Sequence, residues 1–321
     1  MKLTLFVVLC LAIIFGEGST AATFGEVKQI NAGDLNVGYV EAGPANGPAV
    51  ILMHGFPYDI HSYEDVTPLL AAKGYRVVVP YFRGHGTTTF RSKHTPRTSE
   101  QSAFALDIIA LMDALKIEKA VLGGFDWGSR TGDIIAALWP ERVKALVSVS
   151  GYLITNLVGN LQPLPPHAEW AWWYQYYFAT QRGELGLTNP QYRHDLGDVI
   201  WKFNSPTWNY SAETYNQTAA AFTNEDYVAI VIGNYRWRQS LVKTIPRFAA
   251  LEKKLAAAPT IGVPTITIDP ALDPFTAAGN GSAYRAKFTG KYEHRVVQVG
   301  HNLPQEAPEA FAQAVIDVDQ F

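Results

Sequence analysis

Short apolar runs recur along the chain, and the stretches between them place apolar residues at helical spacing. Ala49–Met53 is apolar throughout, as expected of a strand buried on both faces. Residues 76–79, 120–122, 145–149, 264–268 and 295–299 are further β-type runs. Residues 99–115 carry apolar positions three and four apart behind Ser99-Glu100, which predicts a helix. A second helix joins 120–122 to 145–149 and ends near Trp139-Pro140. Strand and helix alternate, so the fold class is α/β: a mostly parallel sheet with helices on both faces.

The alternation stops between Tyr152 and Ser240. That stretch is helix-like and aromatic, and holds six of the eight tryptophans: Trp170, Trp172, Trp173, Trp201, Trp208 and Trp237. It reads as an inserted helical cap over the carboxyl edge of the sheet, where open α/β sheets bind ligands. Most of its tryptophans are expected to be cap core. The expected organisation is a leader at 1–21, a first core segment at 22–151, the cap at 152–240 and a second core segment at 241–321.

Composition narrows the classes. A chain of 321 residues with 48% hydrophobic and 17% charged residues is too apolar for disorder. Lys+Arg at 26 against Asp+Glu at 29 leaves a net charge of −3, so no basic excess points to nucleic acid. The apolar run at 3–15 falls short of the ~18 residues read as a membrane span. With Lys2 before it and Ser19-Thr20-Ala21 after it, it has the pattern of a secretory signal cut after Ala21. A secreted or periplasmic protein without a stable membrane anchor is therefore expected. The single cysteine, Cys10, lies in that leader. Thiol catalysis, cysteine-bound metal and an internal disulfide are excluded for the mature chain, and stability must come from its core.

The segment richest in chemistry is 121–130, where a strand runs into Gly124-Phe125-Asp126-Trp127-Gly128 and then a helix. With serine at the centre this would be a nucleophile elbow, a strained turn that pushes its central side chain out over the sheet edge. No Gly-x-Ser-x-Gly occurs in the chain, which argues against a serine esterase. The backbone N–H of Trp127 points into the same space. His54-Gly55-Phe56-Pro57 follows the first buried strand, where the second oxyanion-hole donor, the N–H of Phe56, belongs. Gly300-His301 follows the last strand, where the base belongs. His54 is read as ordering its loop. No histidines have metal-ligand spacing with a carboxylate, so no metal is expected, and no cofactor is called for.

An aspartate nucleophile suits a saturated carbon. It is already ionised at neutral pH, and the ester it forms can be hydrolysed by water that His301 activates.

These motifs, with Arg83-Gly84-His85-Gly86 and the cap segments 173–178 and 234–237, resemble the α/β-hydrolase superfamily. Within it the chain looks like the epoxide hydrolase branch, related to the haloalkane dehalogenases. The resemblance implies an acid partner for His301 at Asp273, with Asp269 the alternative. It implies two cap tyrosines that donate to the opening epoxide oxygen, Tyr174 and Tyr235, with Tyr176 and Tyr177 competing for the first role. Phe125 departs from relatives that place histidine there. Arg130 matches a carboxylate-clamping arginine of fluoroacetate dehalogenases, but the rest of that pattern is missing and it is read as structural. The expected substrates are a small apolar or aryl epoxide and water. Haloalkane dehalogenation, with the Trp127 indole as halide donor, and a secreted effector or binding protein on the same fold are the alternatives. Dimerisation through the cap is left open.

Overall fold

The computed structural model describes residues 24–275 and 277–321, so the leader 1–21 with Cys10 lies outside the described residues. Nine strands build one sheet. They are β1 (Val27–Ala32), β2 (Leu35–Ala42), β3 (Ala49–Met53), β4 (Arg76–Pro80), β5 (Thr89–Phe90), β6 (Ala120–Gly124), β7 (Val143–Val149), β8 (Thr265–Pro270) and β9 (Tyr292–Val297). The order is β1-β2-β4-β3-β6-β7-β8-β9, with β5 paired to β2. Pairs from β4 through β9 are parallel, and β1, β2 and β5 join antiparallel.

Strands β3, β6 and β7 are almost wholly buried because helices cover them. Helices Gln101–Ala114 and Trp127–Leu138 pack together against the sheet, and Val66–Ala71 pairs with Pro308–Val318. No described helix is long and apolar enough to cross a membrane.

The topology fixes where a site can form. The chain steps from β3 out to β4 on one side, while β6 lies on the other, so the connections diverge between β3 and β6. Met53 is in register with Gly124, and the loops leaving these strands emerge side by side. Pro270 of β8 is likewise level with Val297 of β9, which brings the next two loops together.

After β7 the chain leaves the sheet until β8. Six α-helices lie between Pro166 and Arg238, and the next, Pro246–Ala256, packs back on Gln101–Ala114. Trp201 is buried and donates its indole N–H to Pro57 O at 2.7 Å, tying this helical layer to the β3 loop. Trp208 stacks on Trp201 and Trp237 is buried, whereas Trp170 is exposed.

Candidate active site

Asp126 sits where β6 turns into the helix Trp127–Leu138, with φ 51° and ψ −118°. An L-residue held there costs about 1–3 kcal/mol, so the surroundings must impose the turn. They do so by close packing. A Cβ on Gly128 would overlap the Met53 carbonyl of β3, and one on Gly124 would meet the backbone of Gly128. The Asp126 carboxylate makes no capping bond to its helix. Its Oδ1 instead accepts the Phe56 N–H at 2.7 Å.

The β3 loop is built to reach it. A Cβ on Gly55 would lie 2.5 Å from Asp126 Cβ. His54 Nε2 accepts the Phe82 N–H at 3.1 Å, which leaves the proton on Nδ1, 2.9 Å from Gly55 O. Burial and the neighbouring His85 push the His54 imidazole down to about 3, so it stays neutral and holds the loop. The Phe56 ring stacks on Trp127 at 5.4 Å, and the Trp127 indole N–H is buried without a hydrogen-bond partner.

On the other side, His301 Nδ1 lies 2.8 Å from Asp273 Oδ2. Asp269 is engaged elsewhere: it accepts from the Tyr284 hydroxyl at 2.5 Å and from the Gly279 N–H at 3.0 Å. His301 Nε2 points to Asp126 Oδ2 at 3.8 Å, too long for a direct hydrogen bond. Burial alone would lower the His301 imidazole. The charge and hydrogen bond of Asp273, together with the charge of Asp126, outweigh that and push it up to about 10. Burial likewise disfavours the Asp126 carboxylate, but His301, Arg130 and the Phe56 N–H hold it below the usual range.

Sequence reasoning overlooked the groups that aim His301. Its backbone N–H donates to Asn204 O at 3.1 Å, and Tyr58 packs beside its ring at 6.1 Å. Glu306 accepts from the Gly300 N–H at 2.9 Å and from the Ser205 hydroxyl at 2.6 Å. The one available signal was Glu306 closely following Gly300-His301.

Tyr174 and Tyr235 come from helices Trp173–Ala179 and Tyr227–Arg238, which pack on each other. Their rings meet edge-on at 5.7 Å, and both are buried. Tyr235 lies 5.4 Å from the Phe56 ring and 6.0 Å from Trp127, and Tyr174 lies 6.1 Å from Phe56. Burial and the Asp126 charge raise both phenols, so they stay protonated. Tyr176 is exposed and bonded to Glu169, and Tyr177 shares a bond with Tyr192 at 2.7 Å. Neither competitor faces Asp126.

A cavity of about 300 Å³ opens over Asp126, His301 and Asp273, with Trp172 and Phe275 among its walls. Among the described residues no three His, Cys, Asp or Glu side chains group as a metal site. The arrangement offers a carboxylate nucleophile, a backbone donor on one of its oxygens, a carboxylate-backed imidazole and two phenol donors.

A sequence model of the alpha/beta hydrolase fold matches residues 48–308. The chain belongs to this family. The crystal structure of a candidate epoxide hydrolase from Klebsiella pneumoniae superposes with a TM-score of 0.90 at 56% identity, covering 93% of this chain and 99% of that one. Epoxide hydrolase B of Mycobacterium tuberculosis is 35% identical over 150 residues, 43% of this chain and 41% of its own length. A haloalkane dehalogenase of Mycobacterium marinum is 32% identical over 137 residues, 42% of this chain and 45% of that one. The chain thus spans about two-fifths of these curated relatives' length. As an alpha/beta hydrolase it has aspartate where the family's serine enzymes carry their nucleophile.

Proposed function

We propose that this hydrolase opens an epoxide to a vicinal diol through an ester on Asp126. The observation that carries the reading is the pair of buried, protonated phenols, Tyr174 and Tyr235, packed around Phe56, whose N–H holds Oδ1 of the elbow aspartate. Asp126 Oδ2 bonds to an oxirane carbon as that carbon's ring C–O bond breaks. The electron pair goes to the oxirane oxygen, which takes a proton from a tyrosine. Protonated His301 gives its proton to the tyrosinate once the ester has formed, and the neutral Nε2 then takes a proton from water, whose hydroxide attacks the ester carbonyl. The N–H groups of Phe56 and Trp127 receive the oxyanion. Collapse releases the glycol, which takes its last proton from the new carboxyl and regenerates ionised Asp126. The proton taken from water stays on His301 and restores the resting imidazolium. Residues 1–21 add the reading that the enzyme acts outside the cytoplasm.

The unpartnered indole N–H of Trp127 favours a second reading, halide capture in a dehalogenase. Its weakness is that Phe56, stacked on the indole, has no side-chain donor to complete a halide site. A leaving halide also needs no proton from Tyr174 or Tyr235.

His301→Gln protein treated with a styrene-type epoxide and weighed intact tests both. A stable gain of the whole epoxide mass, located on the Asp126 peptide, is expected. No epoxide adduct, with an alkyl adduct and free halide from a haloalkane, would replace the first reading by the second. No adduct with either reagent would overturn both.

A further inference from the structure

The cavity over Asp126 has a feature that opening a neutral epoxide does not require. Two arginines line it, Arg130 from the helix behind the elbow and Arg238 from the last turn of the cap helix Tyr227–Arg238. Arg130 is 7% exposed. Its Nε donates to Leu153 O at 3.1 Å, the contact that fits a structural role. Its two terminal nitrogens have no hydrogen-bond or ion-pair partner among the described residues. Arg238 has no ion pair among the described residues either, and its Nε is buried without a hydrogen-bond partner. Neighbouring Arg236, by contrast, pairs with Glu184 at 2.7 Å. The Arg238 guanidinium lies over Trp172 at 5.5 Å and over the proposed proton donor Tyr235 at 5.8 Å.

The charge balance of the cavity is positive. Arg130, Arg238 and protonated His301 face only two carboxylates, Asp126 and Asp273. Burial and the charge of Arg238 push the Arg130 guanidinium down to about 10, so the two arginines oppose each other. Asp133, one turn below Arg130, is pushed by burial up to about 8 and stays largely neutral at neutral pH. Holding like charges together out of bulk water is costly unless a counter-charge enters the site.

Building on the proposed function, we infer that the substrate carries a carboxylate beside its epoxide, bound between Arg130 and Arg238 while the epoxide faces Asp126. Guanidinium groups match a carboxylate with paired hydrogen bonds. One arginine belongs to the sheet core and the other to the helical layer, so the anion bridges them. The volume of about 300 Å³ suits a small molecule, with Trp172 and Phe275 against its apolar part. Trp172 from the helical layer and Phe275 from the loop after β8 supply that apolar wall, and the arginines supply the specificity.

Binding tests this without relying on turnover. 3-Phenylpropanoate and its uncharged amide are titrated calorimetrically into wild-type, Arg238→Gln and Arg238→Lys proteins. Charge-assisted bonds make a preference of at least about tenfold for the carboxylate the expected result. The preference collapses toward unity in Arg238→Gln and partly returns in Arg238→Lys. Equal affinity for acid and amide in the wild type, or an unchanged ratio in Arg238→Gln, overturns the inference. In parallel, 3-phenylglycidate is compared with its methyl ester, and the acid is expected to have at least about a tenfold higher kcat/KM. Turnover of both without preference removes the carboxylate site and leaves epoxide hydrolysis standing. A binding preference with no opening of either epoxide removes the hydrolysis reading and leaves the anion site.

Discussion

Asp133 tests the electrostatics beneath this site. It is fully buried on the helix Trp127–Leu138, where Oδ2 accepts the Leu153 N–H at 2.7 Å and Oδ1 has no partner. Burial pushes the carboxyl up to about 8, against a normal value of 3.8. The folded protein therefore keeps this proton until about pH 8, whereas the unfolded chain releases it near 4. Between those values the folded state holds one proton more, so stability is full below pH ~4 and falls as pH rises. The slope is about 1.4 kcal/mol per pH unit, which amounts to roughly 3 kcal/mol between pH ~5 and pH ~7. Asp133→Asn keeps an acceptor for Leu153 but cannot titrate. Urea denaturation of both proteins at these two pH values isolates the effect, since all other titrations are shared. The gap should move by about 2–3 kcal/mol in favour of the variant on going to the higher pH. Parallel profiles would refute the argument. They would mean that Asp133 is ionised in the fold and supplies a counter-charge to Arg130.

Two further substitutions probe the framework. Gly128→Ala should destabilise by at least about 3 kcal/mol or abolish soluble expression, because its Cβ meets the Met53 carbonyl. Gly132→Ala, whose Cβ meets only the Leu146 and Met53 side-chain ends at 3.0 and 3.4 Å, should cost under about 1.5 kcal/mol on the same denaturation curve. Arg83 is buried and binds Asp107 through two bonds of 2.6 and 2.8 Å, with Thr98 O at 2.7 Å. Arg83→Leu leaves Asp107 buried without its cation and should cost about 3–5 kcal/mol by urea denaturation, with part recovered in the Arg83→Leu/Asp107→Asn double variant.

The parts legible in the sequence are those where burial leaves a one-dimensional trace. The strand at Ala49–Met53 is apolar at every position because helices cover both its faces, and its bounds matched. The β1–β2 hairpin went unnoticed because Val27–Ala32 is an edge strand with polar residues and mostly exposed positions. The elbow was legible because a tight strand-to-helix crossing demands glycine at fixed places, here Gly124 and Gly128. Between Asp269 and Asp273 only the resemblance favours Asp273 in the sequence, and the physical reason needs three dimensions. Both follow the same apolar run, and only the register of β8 with β9 brings Asp273 to the imidazole. Arg238 left no sequence signal, since its significance is the lack of a carboxylate partner.

The charges also suggest how the proposed reaction keeps its order. In the resting protein Asp126 and Asp273 together hold the His301 imidazole up to about 10, so it carries a proton at neutral pH. A protonated imidazole cannot activate water, and its charge helps keep Asp126 ionised as a nucleophile. Forming the ester removes the Asp126 charge and with it that residue's share of the imidazolium's stabilisation. Burial, which disfavours the cation throughout, is then opposed mainly by Asp273. The imidazole becomes easier to deprotonate at the stage where a base is needed, and hydrolysis restores the carboxylate. The distance of 3.8 Å between Asp126 Oδ2 and His301 Nε2 serves both stages. It is short enough for each charge to act on the other, and long enough that no direct bond commits the nucleophilic oxygen.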